Sequence, residues 1–360
     1  MLCYLYFIMF SPLLTWYQEN GRDLPWRATQ DPYKIWLSEV ILQQTRVEQG
    51  LAYYQRFLQA FPTVAHLAAA SEDEVLRLWQ GLGYYSRARN LHEAAQRIVS
   101  MGGFPTSYSE IRALKGIGDY TAAAIASFAF GLPHAAVDGN VYRVLSRIFA
   151  IDTPIDTTLG KRQFAALAQE VLPPRAAALH NQAMMDLGAT ICTPRNPQCQ
   201  ACPLQHACIA HAENTTENYP VKSKRTQVCQ RYFSYLLITD GKQLLLNRRQ
   251  KGDIWEGLYE PLLIETEVPL ALDDLLTHPA ASAYINSDAT LTPVVADLSH
   301  KLSHQHLHAW AYLITLTTPL NVLPESGDVK HSPLIVPLSE LEAYAMPRLV
   351  TRILELAAIT

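Results

Sequence analysis

The chain has 360 residues, of which 49% are hydrophobic and 17% charged, so it is too apolar for a disordered protein and long enough for two or more domains. The formal net charge of −4 excludes a strongly basic protein, but the charge is uneven. Residues 1–225 hold 20 Lys and Arg against 18 Asp and Glu, whereas residues 226–360 hold 9 against 15.

The first sixteen residues are almost entirely apolar. They lack the basic flank and the cleavage site of a secretory signal, and they are too short to span a bilayer. We expect the first helix at residues 13–20, after an irregular extension or a misassigned start over residues 1–10. With no membrane partner and no sign of disulfides, a reducing, cytoplasmic compartment is the expected location.

A carboxylate stands alone among apolar side chains in the helix that is predicted to start near Pro32. Glu39 has Trp36, Leu37, Val40 and Ile41 as sequence neighbours. Apolar surroundings favour the neutral form of an acid and raise its pKa, which suits a general acid near neutral pH. The alternative is an ordinary exposed glutamate on an amphipathic helix.

A capping box at residues 71–74 predicts a helix that ends near Gly81. The following stretch, residues 81–89, interleaves glycines, tyrosines and arginines ahead of a helix predicted at residues 90–99. An aromatic ring on such a turn can wedge between bases while arginines hold phosphates. Tyr84 is therefore a candidate DNA contact, and a buried tyrosine pair is the competing interpretation.

A two-glycine turn at residues 114–121 precedes an apolar helix predicted at residues 122–130. Gly116 and Gly118 permit positive φ and can aim backbone N–H groups at a phosphate near the helix N-terminus. An ordinary helix cap explains the same residues. About twenty residues later, Asp138 precedes a helix predicted at residues 142–149, where it can cap the helix and also face a cleft.

Four of the six cysteines lie within seventeen residues, as Cys192, Cys199, Cys202 and Cys208. Clustered thiols in a reducing compartment indicate a metal site. Structural zinc sites usually have two short Cys pairs, whereas only one pair is short here. Cysteine ligation also suits an iron–sulfur cluster, so both metals remain possible from spacing alone.

The chain becomes polar over residues 211–229, which we interpret as a linker. Strands are then predicted at residues 232–238, 243–247 and 309–316, and helical segments near residues 270–276 and 338–356. The fold class is therefore multidomain, with an all-α part followed by an α+β part. The predicted domains are residues 1–210 and 230–360, with the cysteine loop at 192–208.

Residues 36–45, the Tyr84 turn, the two-glycine turn, residues 137–140 and the cysteine loop match one family in order and spacing. Over residues 18–210 the chain resembles the helix-hairpin-helix DNA glycosylases of the endonuclease III superfamily, and among them those that remove mispaired adenine. The resemblance implies a catalytic domain with a [4Fe-4S] cluster on the four cysteines. It also implies a second, Nudix-like domain that recognises 8-oxoguanine, although the acidic helix of Nudix hydrolases is absent.

The resemblance assigns roles to individual residues. It implies that Glu39 protonates N7 of a flipped adenine, that Asp138 stabilises the oxocarbenium-like sugar, and that Tyr120 and Asn140 support these two groups. The adenine pocket is expected to include Arg22, Trp26, Leu42 and Gln182. Contacts to DNA or to 8-oxoguanine are expected from Gln44, Tyr84, Gly116, Gly118, Ser303 and His304. Leu302 stands where relatives usually have phenylalanine.

The implied function is base-excision repair by a monofunctional enzyme that hydrolyses the N-glycosidic bond of adenine opposite 8-oxoguanine or guanine. The partner is then double-stranded DNA, the protein is expected to act as a monomer, and it associates with the nucleoid while on DNA. One alternative is an oxidised-pyrimidine glycosylase and lyase of the endonuclease III type. Tyr120 occupies the position of the lyase lysine, which disfavours that alternative. A non-catalytic DNA-binding protein is disfavoured by the presence of both Glu39 and Asp138.

Overall fold

A computed structural model of the chain describes residues 2–223, 228–282, 284, 289–320 and 333–359. The chain forms two compact units. The first consists of Met1–Ala69 and Asn90–Lys224, and the second of Ala70–Arg89 and Arg225–Thr360. Part of the predicted linker, residues 224–227, lies outside the described residues. The predicted domain bounds of 1–210 and 230–360 stay a prediction.

The first unit is built from α-helices joined by short turns. Its helices, together with α6, which starts in the second unit, are α1 (Leu2–Asn20), α2 (Pro32–Ile41), α3 (Val47–Ala60), α4 (Val64–Ala69), α6 (Ser86–Ser100), α7 (Tyr108–Arg112), α8 (Asp119–Phe130), α9 (Gly139–Ile148), α10 (Thr158–Val171), α11 (Ala177–Asp186) and α12 (Ile209–Ala212). Short 3₁₀ turns lie at Pro25–Arg27, Pro174–Ala176, Cys199–Ala201, Gln205–Ala207 and Thr216–Asn218, and a π turn spans Leu187–Ile191.

The first helix is longer than predicted. It begins at Leu2 and continues through Pro12, so the expectation of an irregular extension before residue 13 is wrong. Proline lacks the N–H that would bond to the carbonyl four residues earlier, at Ile8. The Ser11 hydroxyl donates to that Ile8 carbonyl at 2.9 Å, which satisfies it and allows the helix to continue. Phe10 and Leu13 are buried in the core of the first unit.

Local capping explains where the helices that carry the predicted site residues begin. In α2 the Asp31 side chain accepts from the Tyr33 N–H at 2.9 Å, and Pro32 occupies the first turn, where its missing N–H costs nothing. In α9 the N-cap is Asp138, as predicted. The glycine at the start of α8 leaves that N-terminus without a side-chain cap among the described residues.

Other boundaries differ from prediction by a few residues. α6 begins at Ser86, four residues before the predicted start. α11 ends at Asp186 and passes directly into the π turn. The apolar pattern of a sequence does not by itself distinguish the last α-helical turn from a π turn.

The second unit is a mixed β-sheet with short helices. Its strands are β1 (Cys229–Thr239), β2 (Gln243–Arg248), β3 (Tyr259–Glu260), β4 (Leu262–Thr266), β5 (Thr290–Lys301), β6 (Gln305–Thr315) and β7 (Leu334–Pro337). Its helices are α5 (Glu72–Trp79), α13 (Leu272–Thr277), α14 (Pro279–Ser282) and α15 (Arg348–Leu356), with a 3₁₀ segment at Leu338–Ala343. The capping box at Ser71 and Glu74 that starts α5 is present as predicted.

The strand order is β3-β2-β1-β6-β5, with β4 paired to β1 and β7 paired to β2. β1 and β6 run parallel over their whole length, from Cys229 opposite Gln305 to Thr239 opposite Thr315, and the other pairs are antiparallel. β5 and β6 form a hairpin whose tip holds residues 302–304.

Both faces of this sheet are covered. One face packs with α15 around Phe233, Tyr235 and Val350, and the other packs with α13 and α14 around Leu236, Leu275 and Tyr284. Because both faces are covered, the central strand is buried at every position over residues 233–239, including the polar residues Ser234 and Thr239. The predicted all-α and α+β fold class is confirmed. No helix in the described part of the chain is long and apolar enough to cross a membrane.

Candidate active site and iron–sulfur site

A cavity of about 400 Å³ opens in the first unit. Nine residues selected from the sequence line it: Arg22, Trp26, Glu39, Leu42, Gln44, Tyr120, Asp138, Asn140 and Gln182. They come from five separate segments of the chain, and the fold brings them around one space. The volume lies in the range of ligand pockets for small molecules or a single nucleobase.

Glu39 is buried in the cavity wall with 8% of its surface exposed. The Tyr120 hydroxyl donates a 2.6 Å hydrogen bond to Glu39 Oε2. Burial raises the pKa of Glu39 to about 7, Tyr120 and Arg27 act in the opposite direction, and the Asp138 charge adds to the increase. Glu39 can therefore carry a proton near neutral pH, which is the requirement for a general acid.

Asp138 is held in a fixed orientation at the start of α9. Its Oδ1 accepts from the Val141 N–H at 2.8 Å, and its Oδ2 accepts from Asn140 Nδ2 at 2.7 Å. Burial raises the pKa of Asp138, while these two hydrogen bonds lower it and favour the ionised form. The cavity thus contains two buried carboxyl groups with different surroundings. Glu39 accepts from the Tyr120 hydroxyl and has a pKa of about 7, whereas Asp138 accepts from Val141 and Asn140.

Arg143 connects this carboxylate with the cysteine loop. Its Nη2 donates to Asn140 Oδ1 at 2.8 Å and to the Gly188 carbonyl at 2.7 Å, and its Nε donates to the Cys192 carbonyl at 2.7 Å. Gly188 permits this approach, since a Cβ there would lie 2.5 Å from the Asn140 Cβ. A continuous set of hydrogen bonds therefore leads from Asp138 to Cys192.

Two residues of the cavity region were missed as site residues by the sequence reasoning. Arg27 lines the cavity and, with Arg22, binds the fully buried carboxylate of Asp186. Burial raises the pKa of Asp186, but its hydrogen bonds to Arg27 and Arg22 outweigh burial and hold that pKa below its usual value. A signal was present, because Asp186 follows Gln182 by four residues and so shares its helix face.

The two glycines of the hairpin have different roles. Gly116 adopts φ +73°, and a Cβ there would lie 2.6 Å from the Asn90 Cβ, so this position requires glycine. Gly118 has φ −89° and needs no positive φ. As the N-cap of α8 it leaves first-turn N–H groups for an external acceptor such as phosphate. Arg112 donates to the Ile117 carbonyl at 2.8 Å and fixes the turn from behind.

The four cysteines of the loop line one cavity, which also includes Arg147 and Leu204. Arg147 is almost fully buried and donates to Cys192 Sγ at 3.3 Å, to the Thr193 carbonyl at 2.7 Å and to the Thr216 carbonyl at 2.8 Å. Burial and the neighbouring cysteines raise the pKa of Cys202 to about 12, so bound cations are needed to keep such thiols ionised.

The arrangement favours a cluster over a single ion. In the described ranges, no three Cys, His, Asp or Glu side chains converge closely enough to hold one metal ion. A tetrahedral zinc site would draw four sulfurs to about 2.3 Å from one point. Here the thiols surround a cavity instead, which fits a polynuclear iron–sulfur cluster held by four cysteines.

The second unit brings Tyr84 and Ser303 into contact. Tyr84 adopts φ +48°, is 44% exposed, and forms a hydrogen bond through its hydroxyl with Ser303 Oγ. Ser303 and His304 lie at the tip of the β5–β6 hairpin, which the Leu302 N–H closes by donating to the Gln305 carbonyl at 2.8 Å. Leu302 packs against the core of this unit. These residues line a second cavity of about 380 Å³.

Two further residues on the wall of this second cavity have defined local geometry. The wall includes Trp255, which has φ +60°, and Arg89, which pairs with the Glu256 carboxylate at 3.3 Å. Non-glycine residues with positive φ are costly and concentrate at functional sites. Gln44 also has positive φ, at +59°, and lines the cavity of the first unit.

Comparison with known families follows the same division of the chain. Residues 37–174 match the HhH-GPD superfamily base excision DNA repair proteins, residues 192–208 match the iron–sulfur binding domain of endonuclease III, and residues 234–356 match the NUDIX domain. The predicted Nudix-like second domain is confirmed by the last match, and the predicted [4Fe-4S] cluster by the iron–sulfur match. The matched residues 192–208 contain all four loop cysteines.

Whole-chain relatives are also found. The adenine DNA glycosylase of Buchnera aphidicola subsp. Acyrthosiphon pisum is 33% identical over 352 residues, which cover 96% of this chain and 97% of that protein. The human adenine DNA glycosylase is 46% identical over 209 residues, which cover 55% of this chain and 38% of the human protein.

Solved structures give the same fold for the helical part. A thermostable thymine-DNA glycosylase superposes with a TM-score of 0.54 at 29% identity, covering 58% of this chain and 97% of that one. A non-covalent endonuclease III–DNA complex superposes with a TM-score of 0.50 at 21% identity, covering 59% and 98% respectively. The second likeness concerns the fold alone.

Proposed function

The chain belongs to the adenine DNA glycosylase family, and from this premise we propose that it releases adenine paired with 8-oxoguanine or guanine in double-stranded DNA. It is a base-excision DNA glycosylase, a hydrolase of N-glycosyl bonds that binds double-stranded DNA. The choice of mispair, the residues responsible, a monomeric state and action at the nucleoid in the cytoplasm are parts of the proposal.

One observation carries the proposed chemistry. Glu39, with a raised pKa, and Asp138, with a fixed orientation, line the same cavity. Adenine is a poor leaving group until it is protonated, and the sugar that remains is cationic. Glu39 is the proton donor to N7 of the extruded adenine, and Asp138 stabilises the developing positive charge. Glycoside hydrolysis by paired carboxyl groups follows the same logic.

Tyr120 and Asn140 support these two groups. Tyr120 orients the Glu39 carboxyl through its 2.6 Å hydrogen bond, and Asn140 orients Asp138 through a 2.7 Å hydrogen bond. Arg22, Trp26, Leu42 and Gln182 form the surrounding pocket for the base. Extruding a base costs on the order of a few kcal/mol, and less at a mismatch, so a mispaired adenine enters this pocket more readily.

The enzyme is proposed to be monofunctional. A lyase requires an amine that can attack the sugar, and Tyr120 stands at the position of the lyase lysine. The Tyr120 hydroxyl donates a hydrogen bond to Glu39. Borohydride is therefore expected to trap little covalent complex, and strand cleavage is expected only after alkali treatment. Efficient trapping that persists in Lys115→Met would show that another amine acts as the nucleophile.

The thiolates of Cys192, Cys199, Cys202 and Cys208 would hold the [4Fe-4S] cluster, and a bound cluster would cross-link the loop. This loop adjoins Arg143, whose hydrogen bonds reach Asn140. The loop therefore helps to fix Asp138, and its role in the proposal is structural and DNA-positioning.

Recognition of the base opposite adenine is proposed for the second unit. Tyr84 and Ser303 meet at its cavity, and His304 and Trp255 lie on the same wall. Gln44, Gly116 and Gly118 are the proposed DNA contacts of the first unit. Ser303→Ala removes one hydroxyl that can bond a base edge, and such a contact is worth roughly 1–3 kcal/mol of discrimination. The variant should release adenine opposite guanine normally and lose part of its preference for 8-oxoguanine.

The decisive experiment is single-turnover release of adenine from a duplex that contains adenine opposite 8-oxoguanine. Wild type should release the base, whereas Glu39→Gln and Asp138→Asn should bind the duplex and release little. General acid catalysis is typically worth about 10²–10⁴-fold, so a Glu39→Gln rate within about tenfold of wild type would remove Glu39 from the proton-donor role. Glu48→Gln, an exposed carboxylate on the next helix, is the matched control.

A further inference from the structure

Asp186 binds two arginines at the edge of the active-site cavity. Its Oδ1 accepts from Arg27 Nη2 at 2.6 Å, from Arg22 Nη2 at 2.6 Å and from Arg22 Nε at 2.8 Å. Its Oδ2 accepts from Arg27 Nη1 at 2.6 Å and from the Arg22 N–H at 2.9 Å. The carboxylate is fully buried, so solvent does not weaken these contacts.

The same two arginines line the cavity that contains Glu39. Arg27 Nη1 also donates to the Arg22 carbonyl at 3.1 Å, and its guanidinium lies 5.5 Å from the centre of the Tyr17 ring. Tyr17 in turn donates to Gln182 Oε1 at 2.9 Å. Asp186 therefore forms the centre of a hydrogen-bonded group with Arg22 and Arg27, and it engages both Nη1 and Nη2 of Arg27.

We propose that Asp186 is a positioning residue that keeps Glu39 protonated by holding Arg27 and Arg22 in ion pairs of their own. This inference rests on the proposed function, because it takes Glu39 as the proton donor. Asp186 acts on the reaction only through the arginines.

The charged groups around Glu39 support this inference. Glu39 interacts with the Tyr120 hydroxyl, with the Asp138 carboxylate and with the Arg27 cation. Arg22 and Arg46 also line the cavity. The Arg27 charge already lowers the pKa of Glu39 to some extent, even with Asp186 as its partner.

If Asp186 loses its charge, Arg22 and Arg27 lose the anion with which they pair. Glu39 and Asp138 are then the carboxyl groups that remain among the described residues of the cavity wall. An opposite charge within about 4–6 Å lowers a carboxyl pKa by roughly 1–3 units. Arg27 would stabilise the ionised form of Glu39, and the ionised form cannot donate a proton to adenine.

The test is the pH dependence of single-turnover adenine release from the adenine–8-oxoguanine duplex at saturating enzyme. Asp186→Asn keeps the shape of the side chain and removes its charge. The release rate of this variant should begin to fall at a lower pH than that of wild type. The descending limb of its pH–rate profile should therefore lie about one pH unit lower. Near pH 8 the variant should be roughly tenfold slower, and near pH 5.5 it should approach the wild-type rate, since a displacement of one unit changes the protonated fraction about tenfold.

Arg27→Met provides a second and independent measurement, should Asp186→Asn fail to fold. It removes the cation and leaves Arg22 to pair with Asp186, so the descending limb should move to higher pH. Asp23→Asn is the matched control, because it removes an exposed carboxylate next to Arg22 and should leave the profile unchanged. Circular dichroism and iron content establish that each variant is folded.

Opposite displacements in Asp186→Asn and Arg27→Met would support the inference. A uniform loss of rate at every pH, with the limb unmoved in both variants, would show a purely structural role and overturn it. Failure of the proposed function gives a different result: wild type itself would then release no adenine, or Glu39→Gln would keep the wild-type rate and profile.

Discussion

Burial of Glu39 should make the stability of the protein depend on pH in a way that Glu39→Gln abolishes. An ordinary glutamate loses its proton near 4.5, whereas burial raises the pKa of Glu39 in the folded chain to about 7. The unfolded chain therefore releases this proton first as the pH rises. The contribution of neutral Glu39 to the free energy of unfolding is fully present below about pH 4.5, and it is lost progressively as the pH rises to about 7.

The magnitude follows from the two pKa values. A difference of 2.5 units corresponds to about 3 kcal/mol at 1.36 kcal/mol per unit. Glutamine cannot ionise, so Glu39→Gln should gain about 3 kcal/mol relative to wild type between pH 4.5 and pH 7.5. For a unit of this size, each kcal/mol moves the melting temperature by about 2–4 °C, which gives a relative shift of about 6–12 °C.

The assay is thermal unfolding of both proteins at several pH values, followed by circular dichroism. The readout is the difference between the two pH dependences, because any constant offset between Gln and protonated Glu cancels. Glu48→Gln controls for the loss of one exposed carboxylate. Parallel pH dependences in wild type and Glu39→Gln would refute the reasoning, since they would mean that the folded protein does not hold Glu39 in its neutral form.

Three further outcomes are expected. Arg147→Met removes the buried donor to Cys192 Sγ and to three carbonyls, so it should cost about 3 kcal/mol or more and lower the iron-to-protein ratio, measured by metal analysis. Burial lowers the pKa of His180 to about 4, so wild type should lose about 3 kcal/mol as the pH falls from 6.5 to 4, and His180→Leu should flatten that loss in denaturation experiments. Gly116→Ala forces a side chain into φ +73° against Asn90 and should lower the melting temperature and duplex affinity, whereas Gly118→Ala, with φ −89° and open space around it, should melt as wild type does. Equal melting of both glycine variants would contradict the conformational argument.

Much of the site could be predicted because its signals are local. Asp138 caps its own helix, Glu39 lies among apolar residues of its own helix, and the four cysteines lie within one loop. Each of these patterns depends on residues a few positions apart, where backbone geometry alone decides which groups are neighbours.

The predicted helix boundaries were wrong where a neighbouring residue or an unusual turn changes the ordinary behaviour of a helix. The first helix was predicted to begin at residue 13, but it begins at Leu2 and continues through Pro12, where Ser11 satisfies the Ile8 carbonyl. The π turn at Leu187–Ile191, which follows α11, was not predicted either, because it keeps the helical pattern while it widens the backbone.

The sequence by itself determined the fold class and singled out the four clustered cysteines, Glu39 and Asp138 as candidates, since these signals follow from short-range pattern and residue chemistry. Only the tertiary structure decided that Arg22 and Arg27 bind Asp186, 164 and 159 residues away, and that Tyr84 meets Ser303, 219 residues away. Such pairs depend on which helix and strand surfaces pack together. That packing results from many weak contacts along the chain, so it cannot be predicted from any single pair of residues.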